Sequence, residues 1–470
     1  MNTISQSELD SKGFYKLSWL TRIGFGAGDL AQNLIYQTVA TYLLFFYTNV
    51  FGIDPAAAAF MFLIVRLIDV LWDPFVGAFV DKRNPKLGKY RSYLIIGGIP
   101  LTGLAILSFW NGFSGQLWYA YITYVSLSLF YTLVNVPYGA LNASLTRDTD
   151  EITTLTSTRM FMANMGGLAV QFGIPAIIQH ISPDNDWSKP AASSAWFIVM
   201  SIYAIVGFGL LVYCFSQTKE RVVMDSDKMD TVKYSDLFTE FIRNRPLRIL
   251  AFFFITAFAM MAVANSASAY YMQYNIGQAH ALPIFNALGS IPAFIFMPLV
   301  PAIKRAIGKK RMFYVFLLIA IIGMIMLYVI SVTSLKSELW LIYIAQFIKS
   351  TGVIVATGYM WALVPEVISY GEWKTGKRIS GVVNALTGIF FKAGFAMGGV
   401  IPGVVLSMTN FDAAKAQQTA SAQQGILWLV VIIPAILLVL AMYVISKYEL
   451  DDDKIDQINR EIEAKHMSNG

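Results

Sequence analysis

The chain has 470 residues, of which 56% are hydrophobic and 14% are charged, whereas an ordinary soluble domain carries roughly 25% charged residues. This composition excludes a typical soluble globular protein, and the single cysteine, Cys214, excludes a disulfide framework or a cysteine-rich metal site. The formal net charge of +6 would point to nucleic-acid binding if the basic residues clustered, but their distribution indicates membrane topology instead.

Apolar segments long enough to cross a bilayer, about 20 residues each, recur along the whole chain. They follow a polar N-terminal segment without a signal-peptide pattern, so the first span is expected to act as its own insertion signal. The twelve predicted spans are residues 22–49, 56–80, 91–112, 116–143, 157–180, 194–216, 247–274, 282–303, 311–331, 338–364, 380–407 and 424–446. The expected organisation is an N-terminal six-helix bundle (1–216), a cytoplasmic linker (217–246), a C-terminal six-helix bundle (247–446) and a cytoplasmic tail (447–470).

The 35 lysines and arginines test this topology. Those inside predicted spans are Arg66, Arg159, Lys349 and Lys392. If the N-terminus is cytoplasmic, only Lys189, Lys336 and Lys415 lie on the outer side, and the large remainder lies on the cytoplasmic side. This asymmetry follows the positive-inside rule. It predicts that both termini are cytoplasmic, and it gives no support to a nucleic-acid partner.

The two halves of the chain echo each other. Residues 88–91 (GKYR) follow the second span and residues 308–311 (GKKR) follow the eighth, while Arg159 of the fifth span corresponds to Lys392 of the eleventh. A duplicated six-helix unit is the arrangement of the major facilitator superfamily, whose substrate site lies near the bilayer midplane between parallel repeats.

Charged residues inside a membrane are costly and are candidates for function. The second span carries Arg66, Asp69 and Asp73. Asp69 and Asp73 are four residues apart, so both carboxylates project from one face of the helix. Such a pair can hold a proton or share a small hard cation with other oxygen ligands. Alternatively, Arg66 neutralises Asp69 permanently in a structural ion pair.

Further polar candidates lie on the first and fourth spans. Asp29 can accept hydrogen bonds from sugar hydroxyls, and Tyr36, two turns further along the same face, can pack on the apolar face of a sugar ring. Asp29 can also pair with Arg159 or Lys392. Thr132 and Asn135 place neutral oxygens on one face of the fourth span, although ordinary polar packing between helices would explain them too.

The remaining candidates are less specific. Trp361 is a candidate binding-site aromatic, although single aromatics in membrane helices more often face lipid or fill gaps. Lys349 either extends toward the membrane surface or pairs with Glu366. Arg159 and Lys392 either bind the solute or hold the bundles through ion pairs.

Several short motifs together point to one family. They are residues 26–29 (GAGD), 45–48 (FFYT), 66–69 (RLID) with 73–74 (DP), 88–91 (GKYR), 131–138 (YTLVNVPY) and 370–373 (YGEW) with Gly376 and Arg378. On these residues the chain resembles the glycoside-pentoside-hexuronide:cation symporters, the melibiose permease group of the major facilitator superfamily. The resemblance covers nearly the whole chain and implies an all-α integral membrane protein with the major facilitator fold.

The resemblance also implies a cation site. In the family the two acids of the second span form it, which maps to Asp69 and Asp73, and Thr132 and Asn135 occupy the positions that complete it. Sodium-using members have an acid where this chain has Asn135, so the third carboxylate is absent. We therefore expect the proton as coupling ion, with sodium at Asp69 and Asp73 as the alternative.

The family's solute-binding positions map to a larger set, Asp29, Tyr36, Tyr131, Arg159 and Lys392, with Thr387 near a sugar-contacting position. Gly139 stands where some members have an aromatic that stacks on galactosides, which argues against melibiose as the substrate. The cytoplasmic gate is expected to involve Arg91, Glu372 and Arg378.

The predicted function is secondary active transport, in which a proton drives symport of a sugar or glycoside by alternating access. We expect no enzymatic activity and no cofactor, a functional monomer, and a location in the bacterial cytoplasmic membrane. Alternatives are sodium-coupled symport and transport of a non-sugar amphiphile such as a lysolipid. No predicted loop is long enough for an integral-membrane enzyme, and no pore-loop signal supports a channel.

Overall fold

The computed structural model of the chain describes residues 17–462, with gaps at 82, 84, 146–148, 184–185, 221–240, 362, 376–379, 452, 456 and 459. The described residues are helical or lie in turns and loops, and none of them forms a strand. The all-α prediction is confirmed. The chain divides into two compact units, Met1–Met229 and Asp230–Gly470.

The helices of the first unit follow the predicted spans closely. They are α1 (Trp19–Phe45, continued by the π-helical turn Phe46–Phe51), α2 (Pro55–Asp81), α3 (Ser92–Ile96), α4 (Gly98–Ser108), α5 (Leu117–Leu145), α6 (Thr149–Leu168), α7 (Ile174–Ile181) and α8 (Ser193–Gln217). A π-helical turn, Ala169–Gly173, joins α6 to α7.

The second unit has the same character. Its helices are α9 (Arg245–Tyr270), α10 (Leu282–Phe296), α11 (Val300–Ile307), α12 (Lys309–Val332), α13 (Leu339–Met360), α14 (Leu363–Thr375), α15 (Ser380–Met408), α16 (Ala420–Leu427) and α17 (Ile433–Ser446). The π-helical turns Tyr271–Ile276 and Trp428–Ile432 extend α9 and join α16 to α17.

Within the described residues, ten helical stretches are long and apolar enough to cross a membrane. The two other predicted spans differ from these ten in length or polarity. The third span is the apolar stretch Ser92–Ser108, shorter than the predicted 91–112. The first span, α1 with its π-helical turn, is long enough, but polar residues such as Asp29, Gln32 and Asn33 lower its mean hydropathy.

In the first unit, α1 packs against α6 and α8 and also contacts α5. A Cβ on Gly28 would lie 2.9 Å from Sγ of Cys214 on α8 and 2.5 Å from the ring of Tyr138 on α5. The hydroxyl of Tyr138 donates a hydrogen bond of 2.6 Å to the Phe25 carbonyl. Small residues at such contacts let membrane helices approach closely, and this approach fixes the position of the neighbouring Asp29.

In the second unit, α12 and α13 form a similar close contact. A Cβ on Gly352 would lie 2.8 Å from the Cβ of Ala320 and closer still to the Phe316 carbonyl oxygen. A Cβ on Gly323 would lie 2.7 Å from the Cα of Lys349. The two glycines therefore set the distance between these helices.

We expect Gly352→Val to destabilise the protein by about 1–3 kcal/mol or more, because the added atoms meet backbone that cannot move aside. The measurement is the thermal unfolding midpoint of the purified protein in detergent. Gly209→Val is the matched control, since a Cβ there meets nothing within 4 Å. Equal midpoints for the two variants would contradict the close contact.

Candidate functional site

The acids of α2 face two hydroxyls of α5. The Ser128 hydroxyl donates to Oδ1 of Asp69 at 2.5 Å, and the Thr132 hydroxyl donates to Oδ1 of Asp73 at 3.0 Å. Asp69 and Asp73 are one turn apart on α2, and Ser128 and Thr132 are one turn apart on α5. The two helices thus form two parallel acid–hydroxyl pairs. The i, i+4 spacing predicts that both acids lie on one face of α2, but it does not predict the two hydroxyls of α5 that they meet.

The two acids have different surroundings. Arg66 contacts Oδ2 of Asp69 at 3.0 Å and donates at 3.4 Å to the Tyr124 hydroxyl. Both oxygens of the buried Asp69 are therefore engaged, one by a guanidinium and one by a hydroxyl. Asp73 is only half-buried. The ion pair between Arg66 and Asp69, left open by the sequence, is formed.

Asn135 belongs to a different set of contacts. Its amide donates to Oε1 of Gln32 at 2.9 Å and lies 3.5 Å from the Tyr131 hydroxyl. Among the described residues it makes no hydrogen bond with either acid of α2. The structure therefore places Asn135 between α5 and α1, one turn from the acid–hydroxyl pairs.

Asp29 and Arg159 form the second ion pair of this unit. Nε of Arg159 lies 2.5 Å from Oδ2 of Asp29, and Asn33 donates to Oδ1 of Asp29 at 3.2 Å. The guanidinium also lies over the Tyr138 ring, at 4.9 Å from its centroid. The Arg159 side chain is 29% exposed, compared with 12% for that of Asp29.

Two tyrosines connect the ion pair to the acid–hydroxyl pairs. Tyr36 of α1 and Tyr131 of α5 stack with ring centroids 5.2 Å apart and an interplanar angle of 26°. Tyr131 is adjacent in sequence to Thr132, and Tyr36 lies two turns from Asp29. The first unit thus places these contacts on α1, α2, α5 and α6, which carry Asp29, Tyr36, Tyr131, Arg159, Asp69, Asp73, Thr132 and Asn135.

Trp361 lies in an aromatic cluster of the second unit. It follows the end of α13 and is 39% exposed. Its indole packs edge-on against Phe254 at 4.9 Å and lies 5.8 Å from Phe391. The cluster fixes the orientation of the indole and leaves part of it accessible.

The other solute candidates of the second unit lie on α15. Lys392 is half-buried and follows Phe391. Thr387 is buried, and its hydroxyl donates to the Val383 carbonyl at 2.8 Å. In this conformation the Thr387 hydroxyl is committed to its own helix, so the structure gives it no contact that a solute would use.

The cytoplasmic candidate Arg91 is anchored inside the first unit. Its Nε donates to the Leu87 carbonyl at 2.6 Å and its Nη1 to the Thr218 carbonyl at 2.9 Å. The carboxylate of Glu220 accepts hydrogen bonds from the three backbone N–H groups at 89–91, at 2.7–2.8 Å. The loop after α2 is therefore tied to the end of α8.

Of the other gating candidates, Glu372 is buried on α14. Arg378 lies outside the described residues. The structure therefore places one member of this proposed pair.

Of the two alternatives for Lys349, the pairing with Glu366 is not formed. Glu366 instead holds Lys309, whose Nζ lies 2.9 and 2.8 Å from its two oxygens, and it accepts a hydrogen bond of 3.0 Å from the Tyr448 hydroxyl. Burial and the Glu366 carboxylate raise the pKa of Tyr448 well above its ordinary value, so this phenol stays a donor. Lys309 starts its helix beside α14, whereas Lys349 lies more than four turns before Glu366.

Sequence reasoning does not single out Ser128, Gln32, Asn33 or Glu220. A signal exists for Ser128, because it precedes Thr132 by four residues, as Asp69 precedes Asp73. Gln32 and Asn33 follow the GAGD motif directly, and their buried or half-buried amides explain why α1 is more polar than the other spans.

Comparison with known proteins supports a transporter. A family model described as MFS/sugar transport protein matches residues 24–452. The chain belongs to this family. It is 44% identical over 458 residues to the Bacillus subtilis (strain 168) protein named uncharacterized symporter YnaJ, covering 97% of each chain. It is 32% identical over 464 residues to the Escherichia coli (strain K12) glucuronide carrier protein homolog, covering 96% of each.

A solved structure shows the same fold. The crystal structure of a bacterial homologue of the human lysosomal transporter Spinster matches with a TM-score of 0.64 and 12% identity, covering 92% of this chain and 98% of that one. The major facilitator fold predicted from the sequence is confirmed. This member of the sugar transport family is a multi-pass protein of the bacterial cytoplasmic membrane and a transporter, not an enzyme.

We expect Ser128→Ala to lower the free energy of unfolding by about 1.5–3 kcal/mol, because a buried carboxylate loses a charge-assisted hydrogen bond. Thermal unfolding in detergent measures the effect. Ser201→Ala is the control, since the Ser201 hydroxyl donates only to the Phe197 carbonyl of its own helix. If Ser128→Ala unfolds at the same temperature as Ser201→Ala, the Ser128 contact contributes nothing to stability.

Proposed function

We propose that the protein is a proton-coupled symporter of a sugar or glycoside, and that Asp73, beside the Asp69–Arg66 pair, carries the coupling charge. The observation that carries this proposal is the number of acids and bases in the first unit, counted in the middle of its spans and not at their ends. The acids there are Asp29, Asp69 and Asp73, and the bases are Arg66 and Arg159. Each arginine pairs with a different acid, so one negative charge exceeds the bases.

An ionised third carboxylate in a low-dielectric environment has a high free energy unless a cation accompanies it. Proton binding at Asp73 would remove the excess charge and lower the cost of closing the protein around a neutral solute. Reciprocal linkage then makes solute binding favour proton binding by the same factor. This is the thermodynamic requirement for symport by alternating access.

Proton coupling is favoured over sodium by the donors around the acids. The described hydroxyls of Ser128 and Thr132 direct their hydrogens at Asp69 and Asp73, and Asn135 bonds to Gln32. A sodium ion would need several of these oxygens turned toward it, whereas a proton needs one carboxylate. Sodium remains the alternative ion of this proposal.

Solute recognition in the first unit is assigned to the Asp29–Arg159 pair and the Tyr36–Tyr131 stack. In the second unit, Lys392 and Trp361 stay the solute candidates. An acid and a guanidinium side by side can accept from and donate to adjacent sugar hydroxyls, and tyrosine rings suit the apolar face of a pyranose. The family description and the glucuronide carrier relative support a sugar derivative. Transport of an amphiphile is the less favoured alternative, because polar groups dominate these contacts.

In proteoliposomes or cells, addition of the right solute should raise the external pH without added sodium. Glycosides, pentosides and uronides form the panel, each tested with and without sodium. Asp73→Asn should abolish solute-evoked proton uptake and uphill accumulation while permitting solute exchange, because the neutral amide mimics the protonated acid. Asp54→Asn, at the exposed start of α2 where Asp54 caps the helix, is the control and should behave like the wild type.

Uphill accumulation by Asp73→Asn would contradict the assignment of the coupling charge. Solute uptake that requires sodium and leaves the external pH unchanged would identify sodium, and not the proton, as the coupling ion. Failure of the whole panel, with an intact folded protein, would contradict the sugar assignment.

A further inference from the structure

The half-buried residues of α1 and its π-helical turn lie on one stripe. Between residues 24 and 50 the residues are buried except for Leu30, Asn33, Tyr36, Gln37 and Ala40. At 3.6 residues per turn these positions fall within about a third of the helix circumference. Packing against α5, α6 and α8 involves the other sides of the helix. The open side of α1 therefore carries two side-chain amides and a phenol.

A helix side that faces lipid looks different in the same unit. On α8 the exposed residues of the central turns are nonpolar, namely Ile198, Ile202, Ile205, Val206, Gly209 and Val212. Transfer of an amide from water into hydrocarbon costs free energy unless it finds hydrogen-bond partners, and polar residues of membrane helices face the bundle interior or a water-filled cavity. The stripe of α1 is therefore expected to border water.

The amides of the stripe continue the contacts of Asp29 along the helix. Asn33 donates to Oδ1 of Asp29 at 3.2 Å, and Gln37 donates to Oδ1 of Asn33 at 3.4 Å. The three residues follow one another at intervals of four, so they extend over about 12 Å of the helix axis. Gln37 is therefore the far end of a row of polar groups that begins at the Asp29–Arg159 pair.

The two glutamines of α1 differ in what they leave open. Gln32 is fully buried, and it donates to the Gly28 carbonyl at 3.1 Å and accepts from Asn135. Gln37 is half-buried, and within the described residues its carbonyl oxygen and second N–H make no hydrogen bond. Polar groups inside a protein almost always have a partner, so the open groups of Gln37 are expected to meet water or a solute.

We propose that Asn33 and Gln37 extend the solute-binding site along α1, and that the open amide groups of Gln37 bind a hydroxyl group of the solute. This inference rests on the proposed transport function and adds two residues to its solute site. A hydroxyl both donates and accepts, which matches the open carbonyl oxygen and N–H of Gln37. A carboxylate only accepts and would be repelled by that carbonyl oxygen. The part of the solute at Gln37 is therefore neutral.

Thiol labelling tests whether the stripe borders water. The single cysteine, Cys214, is buried, so an introduced cysteine can be followed alone. Membrane vesicles of both orientations are treated with 2-sulfonatoethyl methanethiosulfonate, a charged reagent that reacts with thiols in water and not in lipid, and mass spectrometry measures the modified fraction. Gln37→Cys and Asn33→Cys should react. The controls, the buried neighbour in Thr38→Cys and the exposed α8 position in Ile202→Cys, should stay unmodified.

Transport kinetics test the hydroxyl contact. The probes are the methyl glycosides, pentosides and uronides of the solute panel and, for a transported member, its single-deoxy analogues. Gln37→Leu should raise the KM about tenfold with little change in kcat, because one neutral hydrogen-bonding partner is lost. The deoxy analogue without the recognised hydroxyl should lose nothing further in this variant. Thr38→Val is the control, since the Thr38 hydroxyl donates to the Leu34 carbonyl of its own helix, and it should keep the wild-type KM.

Gln37→Cys that is no more reactive than Ile202→Cys would overturn the inference, because the stripe would then face lipid or protein. An unchanged KM in Gln37→Leu, or an equal further loss for every deoxy analogue, would also overturn it. The labelling needs no solute. Failure of the whole panel would therefore contradict the proposed function, while the reactivity of Gln37→Cys would still decide for or against the water-lined stripe.

Discussion

The cost of placing charge in a low-dielectric environment governs the arrangement of the first unit. Each of its two central arginines lies against a different carboxylate, Arg66 against Asp69 and Arg159 against Asp29. Buried pairs of this kind contribute little net stability, but removal of one partner is strongly destabilising. The two arginines are therefore expected to stay with these acids, and we propose that the charge changes at the third acid, Asp73.

The contacts of the first unit lie between Asp73 and the proposed solute-binding residues. Thr132, which donates to Asp73, is adjacent to Tyr131, which stacks on Tyr36 of the same helix as Asp29. Neighbouring positions alone do not demonstrate coupling. They identify the contacts that would rearrange when a cation binds. The second unit has a different character, with a buried ion pair between Lys309 and Glu366 to which the Tyr448 hydroxyl donates.

Hydropathy locates most of the fold because apolar length is nearly sufficient to define a membrane helix. It gives the bounds less well where a span is short, since the third span is the apolar stretch Ser92–Ser108 and not 91–112. Helical periodicity places Asp69 and Asp73 on one face, but it cannot say which face of α5 they meet. Ser128 therefore escapes notice, and the partner of Asp29 stays open between Arg159 and Lys392.

The partner of Lys349 stays open for the same reason. The sequence shows that Glu366 follows the span that carries Lys349, but the packing of α13 and α14 decides whether the two side chains meet. Glu366 turns toward Lys309 and Tyr448, which come from two other segments of the chain. Contacts between helices depend on tertiary packing, and no spacing rule within one helix contains them.

The most direct test of the central claim is the protonation state of Asp73 itself. Infrared difference spectroscopy of the purified protein, recorded as a transported solute binds, reports the carbonyl stretch of protonated carboxyl groups. We predict a solute-induced carboxyl band in the wild type and in Asp54→Asn that is absent from Asp73→Asn. The same band in Asp73→Asn, or no change in carboxyl protonation in the wild type, would contradict the account.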